Sequence, residues 1–186
     1  LAVKECVKGA WSFNGQRCTA LKVIYVHKNI RKSFLEAFAK ATDELSWGSP
    51  FEDADITPLP EVGKVKYMQS YVEEAVSKGA RVIYERGGQV EGNAFFPAIL
   101  FPTHRDTAIF REEQFGPVGP VLEFEDFEEV LTDVAESNYG QQVSIFTQDA
   151  AAAGHTRVRG GRELRRPGGG RPRARARVRH PVGPRR

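Results

Sequence analysis

The sequence predicts an α/β fold: a three-layer, mainly parallel doubly wound sheet over residues 1–150, followed by a disordered, basic C-terminal tail over residues 151–186. Three observations predict it. Helix-spaced apolar stripes alternate with short β-branched runs along the first 150 residues, the pattern of parallel strands joined by helical crossovers. The chain has 186 residues and is 40% hydrophobic, which suffices for one domain with a sizeable core. The charge also breaks sharply. Residues 1–153 hold 15 Lys plus Arg against 23 Asp plus Glu, whereas residues 154–186 hold 12 Arg and a single acid, Glu163.

The elements follow in order. Leu1, Val3, Cys6, Val7, Ala10 and Trp11 are mostly helix-spaced and predict the end of a buried helix, stopped by the turn residues Asn14 and Gly15. Residues 21–26 form a β-branched run, read as a buried strand. Asn29 is expected to cap a helix whose apolar stripe is Ile30, Phe34, Leu35, Phe38 and Leu45. Residues 49–60, with three prolines, read as a connector. Val65, Met68, Tyr71, Val72, Ala75 and Val76 mark a helix over 62–78 that Gly79 closes. A strand over 81–85, a hairpin-like loop over 86–93 and a strand over 94–101 follow. A strand over 118–124, a helix over 127–137 and a strand over 143–147 complete the set.

The tail holds 7 Gly, 4 Pro and 12 Arg in 33 residues, too little apolar surface to offset its ordering entropy. One reading is a nucleic-acid arm, with Arg neutralising phosphates. Against it, the tail has no Phe, Tyr or Trp to stack on bases. The other reading is a slip of the coding frame, since Gly, Arg, Pro and Ala make 25 of its 33 residues; the composition favours the slip. Two cysteines cannot build a disulfide framework, so a reducing, cytoplasmic compartment is expected. No run approaches the ~20 apolar residues of a membrane span. The first residue is Leu1 and the sole methionine is Met68, so a fragment of a longer chain is expected.

Cys18 is the candidate for chemistry. It lies in a polar stretch, Gly15 to Ala20, between a helix and a strand, where a thiol can be aimed at a substrate. The neighbouring guanidinium of Arg17 favours the thiolate, the attacking form. The plainer alternative makes Cys18 a small hydrophobe at a strand start. Cys6, on the apolar side of the first helix, takes that plainer role. The four histidines show no metal spacing with either cysteine, and neither a Walker loop nor a G-x-G-x-x-G loop is present, so no metal is expected.

Residues 12–20, Ser-Phe-Asn-Gly-Gln-Arg-Cys-Thr-Ala, resemble the catalytic-cysteine segment of the aldehyde dehydrogenase superfamily. Residues 111–118, Arg-Glu-Glu-Gln-Phe-Gly-Pro-Val, resemble its second signature. Two matched segments in the right order weigh more than either alone. Asn138-Tyr139-Gly140 and the strand after it also fit, and the resemblance stops where the Arg-rich tail begins. A narrower likeness, through Arg17-Cys18-Thr19-Ala20 and residues 53–59, is to the NADP-dependent, non-phosphorylating glyceraldehyde-3-phosphate dehydrogenases.

The resemblance implies that Cys18 attacks the aldehyde, forming a thiohemiacetal and then a thioester, with NADP or NAD as oxidant. It implies that Arg17 holds a substrate phosphate, that Glu113 binds the hydroxyls of the nicotinamide-side ribose, and that Phe115 packs beside the nicotinamide. A structural hydrogen bond or a substrate-independent role is the alternative for Arg17, and other aldehyde dehydrogenases, including semialdehyde-oxidising ones, also place Arg before the cysteine. Without the motif, Glu112 and Glu113 would read as solvated charges and Phe115 as core. In the family the dinucleotide-binding domain, the oxyanion amide and the general base precede the cysteine, and an oligomerisation strand follows. The parent is thus expected to be a homo-oligomer, and this chain alone to be inactive.

Overall fold

The computed structural model describes residues 1–139 and 142–148, and the backbone of residues 175–178. The chain divides into two compact units, residues 2–126 and the residues from Phe127 onward with Leu1.

The first unit opens with α1 (Ala2–Trp11), whose buried face is Cys6, Ala10 and Trp11. After a tight turn at Ser12–Gly15 the chain runs into β1 (Ile24–His27), then α2 (Arg31–Asp43) and, past the connector, α3 (Lys64–Ser77). Next come β2 (Arg81–Val82), β3 (Val90–Glu91), β4 (Ala94–Phe95), β5 (Ala98–Phe101), the short α4 (Ala108–Arg111) and β6 (Val118–Phe124). The sheet order is β1-β6-β5-β2. β1 pairs parallel with β6, and β6 with β5; β2 closes the edge antiparallel to β5. β3 and β4 form a separate hairpin.

Alternation along the strands builds the three layers. Ile99 and Val121 join Cys6, Ala10, Trp11, Ile24, Val26 and Phe38 in one core cluster, on the side of α1 and α2. Ala98, Leu100 and Val118 join Met68, Tyr71 and Ala75 of α3 in the other. Both faces are therefore covered, as a parallel sheet requires. Each fully buried Phe, Leu, Ile or Met contributes about 1.5–3 kcal/mol. Trp11 stacks on Phe38 with centroids 5.9 Å apart and donates from Nε1 to Thr42 Oγ1 at 2.9 Å, which satisfies its buried indole N–H.

Several expected elements shift. The strand expected over 21–26 starts only at Ile24, because Leu21 donates its N–H to the Gly9 carbonyl of α1 instead of to a strand. Asn29 does not cap α2: the capping position is Ile30, without a side-chain cap, and Asn29 lies in a turn where its N–H donates to His27 Nδ1. The strand expected over 94–101 divides into β4 and β5 around Pro97, which has no N–H to donate. The expected stop of α3 is present. Gly79, at φ 96°, donates to Val76 O, and Ala80 donates to Ala75 O, the paired bonds of a Schellman end.

The second unit holds α5 (Phe127–Glu136) and a parallel pair, β7 (Gln142–Ile145) with β8 (Arg175–Val178). The expectation of disorder for the rest of the tail lies outside the described residues. No helix among the described residues is long and apolar enough to cross a membrane.

Candidate active site

The loop after α1 is unusual in its backbone. Phe13 (φ 55°), Asn14 (φ 55°) and Gly15 (φ 68°) are three successive left-handed residues. Only glycine adopts that region without cost, and asparagine does so more readily than most. The buried Asn14 side chain fixes the turn: its amide donates to Thr57 O at 3.0 Å and Thr57 Oγ1 at 3.1 Å, and its Oδ1 accepts from Thr57 N at 3.1 Å. The connector is thereby stitched to the loop. Gly15 lies against the 111–118 segment, where a Cβ would be 2.7 Å from Gly116 O.

Past Gly15 a turn closed by Ala20 N–H to Arg17 O, 3.1 Å, carries Cys18 at its tip. Cys18 is exposed, whereas Cys6 is buried and its thiol is pushed up to about 11 by burial and, secondarily, by Glu5. The exposed sulfur satisfies the first need of a nucleophile, which is access. Arg17, half-buried, turns its guanidinium back toward the end of α1. Its contacts to Lys8 O and Gly9 O are both 3.4 Å, beyond the usual hydrogen-bond range, and it lies 5.6 Å over the exposed Phe13 ring. Its buried Nε has no hydrogen-bond partner among the described residues.

The second segment meets the first at Lys22. This lysine, with a side chain 8% exposed, sends Nζ to Arg17 O at 3.1 Å and to Glu113 Oε1 at 3.2 Å, and lies 4.9 Å over the Phe115 ring. Gln114, buried between Glu113 and Phe115, donates to Val118 O at 2.8 Å and reaches Lys22 O at 3.5 Å. Phe115 itself is at φ 46°. On the other side, Glu112 accepts from Tyr71 at 3.0 Å, and Tyr71 is bonded to Tyr67 at 2.5 Å. Burial, Tyr67 and Glu112 together push the Tyr71 phenol far above its ordinary range.

Arg17, Glu113 and Phe115, singled out in the sequence, thus share one partner that sequence reasoning missed. A lysine inside the apolar run 21–26 was the available signal. Glu113 remains 45% exposed, so a vicinal diol can still reach its carboxylate, and Phe115 offers an aromatic face beside it. An accepting carboxylate beside an aromatic face suits a ribose, whose hydroxyls donate, with an attached planar ring.

Comparison with known proteins gives a consistent result. The family model described as aldehyde dehydrogenase family matches residues 1–159. The NADP-dependent glyceraldehyde-3-phosphate dehydrogenase of Pisum sativum is 36% identical over 149 residues, 80% of this chain and 30% of that protein. The 3-sulfolactaldehyde dehydrogenase of Priestia aryabhattai is 36% identical over 141 residues, 74% of this chain and 29% of that protein. Among solved structures, the NADP complex of the NADP-dependent glyceraldehyde-3-phosphate dehydrogenase of Bacillus halodurans C-125 superposes with a TM-score of 0.83 at 29% identity. That match covers 95% of this chain and 34% of that one. The succinate-semialdehyde dehydrogenase of Burkholderia pseudomallei follows with 0.79 at 25% identity, over 84% and 33%. The chain spans about 30% of the length of the curated relatives it matches.

Proposed function

The chain belongs to the aldehyde dehydrogenase family, and from that premise we propose that Cys18 is the nucleophile of an NAD(P)-dependent oxidation of an anionic aldehyde. The observation that carries the reading is the position of Cys18: exposed, at the tip of a turn whose Arg17 carbonyl is tied through Lys22 to Glu113.

The roles of the residues follow from their chemistry. The Cys18 thiolate adds to the aldehyde carbon, forming a C–S bond and an oxyanion that the Cys18 backbone N–H would stabilise. A nicotinamide cofactor, when bound, supplies the two-electron oxidation that turns the adduct into a thioester. Glu113 would accept the ribose hydroxyls, and Phe115 would pack beside the nicotinamide ring. Water then releases the acid from Cys18. Relatives named for glyceraldehyde 3-phosphate and 3-sulfolactaldehyde support a three-carbon aldehyde that ends in a tetrahedral anion. Arg17 is the group proposed to hold that anion, because a guanidinium exchanges long carbonyl contacts for stronger charge-assisted ones with a phosphate or sulfonate. Glyceraldehyde 3-phosphate with NADP is the favoured pair; a semialdehyde with NAD or NADP is the alternative within the same mechanism.

The test uses the chain itself. Iodoacetamide should alkylate Cys18 while Cys6 stays protected, and glyceraldehyde 3-phosphate should slow the reaction at Cys18. Arg17→Ala should abolish that protection but leave protection by propionaldehyde intact. Absence of protection by any aldehyde would refute the nucleophile. Equal loss for both aldehydes would refute only the anion-binding role of Arg17.

A further inference from the structure

We propose that Lys22 is a positioning residue that couples the nucleophile turn to the cofactor-side carboxylate, so that Cys18 and Glu113 hold their mutual register through one ammonium group. The inference rests on the reading of Cys18 and Glu113 given above. The two segments are far apart in sequence, and Lys22 Nζ contacts both: the carbonyl immediately before Cys18 at 3.1 Å and Glu113 Oε1 at 3.2 Å. Its third contact, the face of Phe115 at 4.9 Å, falls on the residue proposed to pack beside the nicotinamide. Even the Lys22 backbone takes part, since its carbonyl faces Gln114 Nε2 at 3.5 Å.

Burial makes this arrangement informative. An ammonium on a side chain only 8% exposed carries a desolvation cost that an apolar side chain in the same run would not. A carbonyl, a carboxylate and an aromatic face offset that cost together, and losing any one leaves the charge under-satisfied. The group is therefore poised to pass a displacement of either segment to the other. Its ammonium also bonds the carbonyl one residue before Cys18, which sets a cation beside the backbone of the nucleophile turn.

The experiment compares Lys22→Met, Lys22→Arg and Glu113→Gln in the full 186-residue chain, with iodoacetamide at neutral pH as the probe and mass spectrometry to separate the two cysteines. Buried Cys6 reports whether the fold is intact; exposed Cys18 reports the site. Lys22→Met should slow Cys18 alkylation about threefold or more, with Cys6 still protected, and Lys22→Arg should recover most of the rate. Glu113→Gln should speed Cys18 alkylation, and its effect should shrink about twofold or more in the Lys22→Met background. An unchanged Cys18 rate in Lys22→Met, or equal Glu113→Gln effects in both backgrounds, overturns the proposal. Should Lys22→Met expose Cys6, Glu113→Gln alone decides: a faster Cys18 supports the coupling and an unchanged one overturns it. None of these rates involves an aldehyde, so their outcome is separate from the protection assay that tests the nucleophile.

Discussion

Gly15 lies so close to Gly116 that a side-chain carbon added to it would stand 2.7 Å from the Gly116 carbonyl oxygen and 2.8 Å from that of Ala10. Its φ of 68° adds a second demand for glycine. Two motif segments thus meet backbone to backbone, and a methyl group would push them apart. Gly63 makes the comparison clean, with φ 81° and nothing within 4 Å of its added carbon. Gly63→Ala should cost about 1 kcal/mol from backbone strain alone. Gly15→Ala should cost about 3 kcal/mol or more, the excess being the clash. Urea denaturation of the two variants checks this, and equal midpoints would contradict the close approach.

Asn14 makes three hydrogen bonds with Thr57 across 43 residues of sequence. It occupies a left-handed position that alanine adopts poorly, and its loss strands the Thr57 N–H. Asn14→Ala should destabilise the chain by about 2–3 kcal/mol, at about 1 kcal/mol per lost bond. Asn14→Asp should fall between, because the carboxylate still accepts from Thr57 N but cannot donate to Thr57 O. Limited proteolysis of the connector over 49–60 should speed up in the same order.

Much of this architecture is legible in the sequence, and the exceptions have physical causes. The stripes of α1, α2 and α3 and the run of β6 declare themselves because burial on a helix or strand imposes a period. Cys18 stands out as a candidate from its polar turn beside Arg17, whereas Glu113 stands out only through the resemblance of residues 111–118 to a family signature. Lys22 does not stand out, since its meaning depends on Glu113 and Phe115 arriving from a distant segment. Asn14 reads as an ordinary turn residue until Thr57 is placed beside it. Asn29 is a good cap by type, yet the turn from His27 places Ile30 at the helix start.

The tyrosine relay behind Glu112 gives a third prediction. Tyr71 is 3% exposed and donates to Glu112 Oε2 at 3.0 Å, while Tyr67, 42% exposed, bonds to the Tyr71 hydroxyl. Tyr71→Phe removes the donor to a carboxylate and should cost about 1.5–3 kcal/mol, the range for a hydrogen bond to a charged group. Tyr67→Phe should cost about 1 kcal/mol or less, because water can replace its hydroxyl. In a double-mutant cycle, Glu112→Gln and Tyr71→Phe should couple, whereas Glu112→Gln and Gly63→Ala should be additive. Additivity in the first pair would remove the relay as an anchor of the 111–118 segment.

The buried thiol of Cys6 predicts how stability falls at high pH. Burial, with a smaller contribution from Glu5, lifts it from 9.0 to about 11 in the folded chain. In the unfolded chain the thiol ionises near its ordinary value, so above pH 9 the unfolded state binds fewer protons than the folded one. Stability therefore declines as pH rises, fully present below pH 9 and lost through about 11. A shift of this size corresponds to about 2–3 kcal/mol. The phenols of Tyr71 and Tyr84, also pushed up chiefly by burial, act in the same direction at higher pH. Cys6→Ala removes the thiol component without adding a charge. Its urea midpoint should start lower at neutral pH, from the lost packing, and then fall less steeply between pH 9 and 11 than that of the unaltered chain. Parallel curves over that window would mean that the Cys6 thiol ionises as easily in the folded protein as out of it, and the two-cysteine contrast used to read Cys18 would lose its reference.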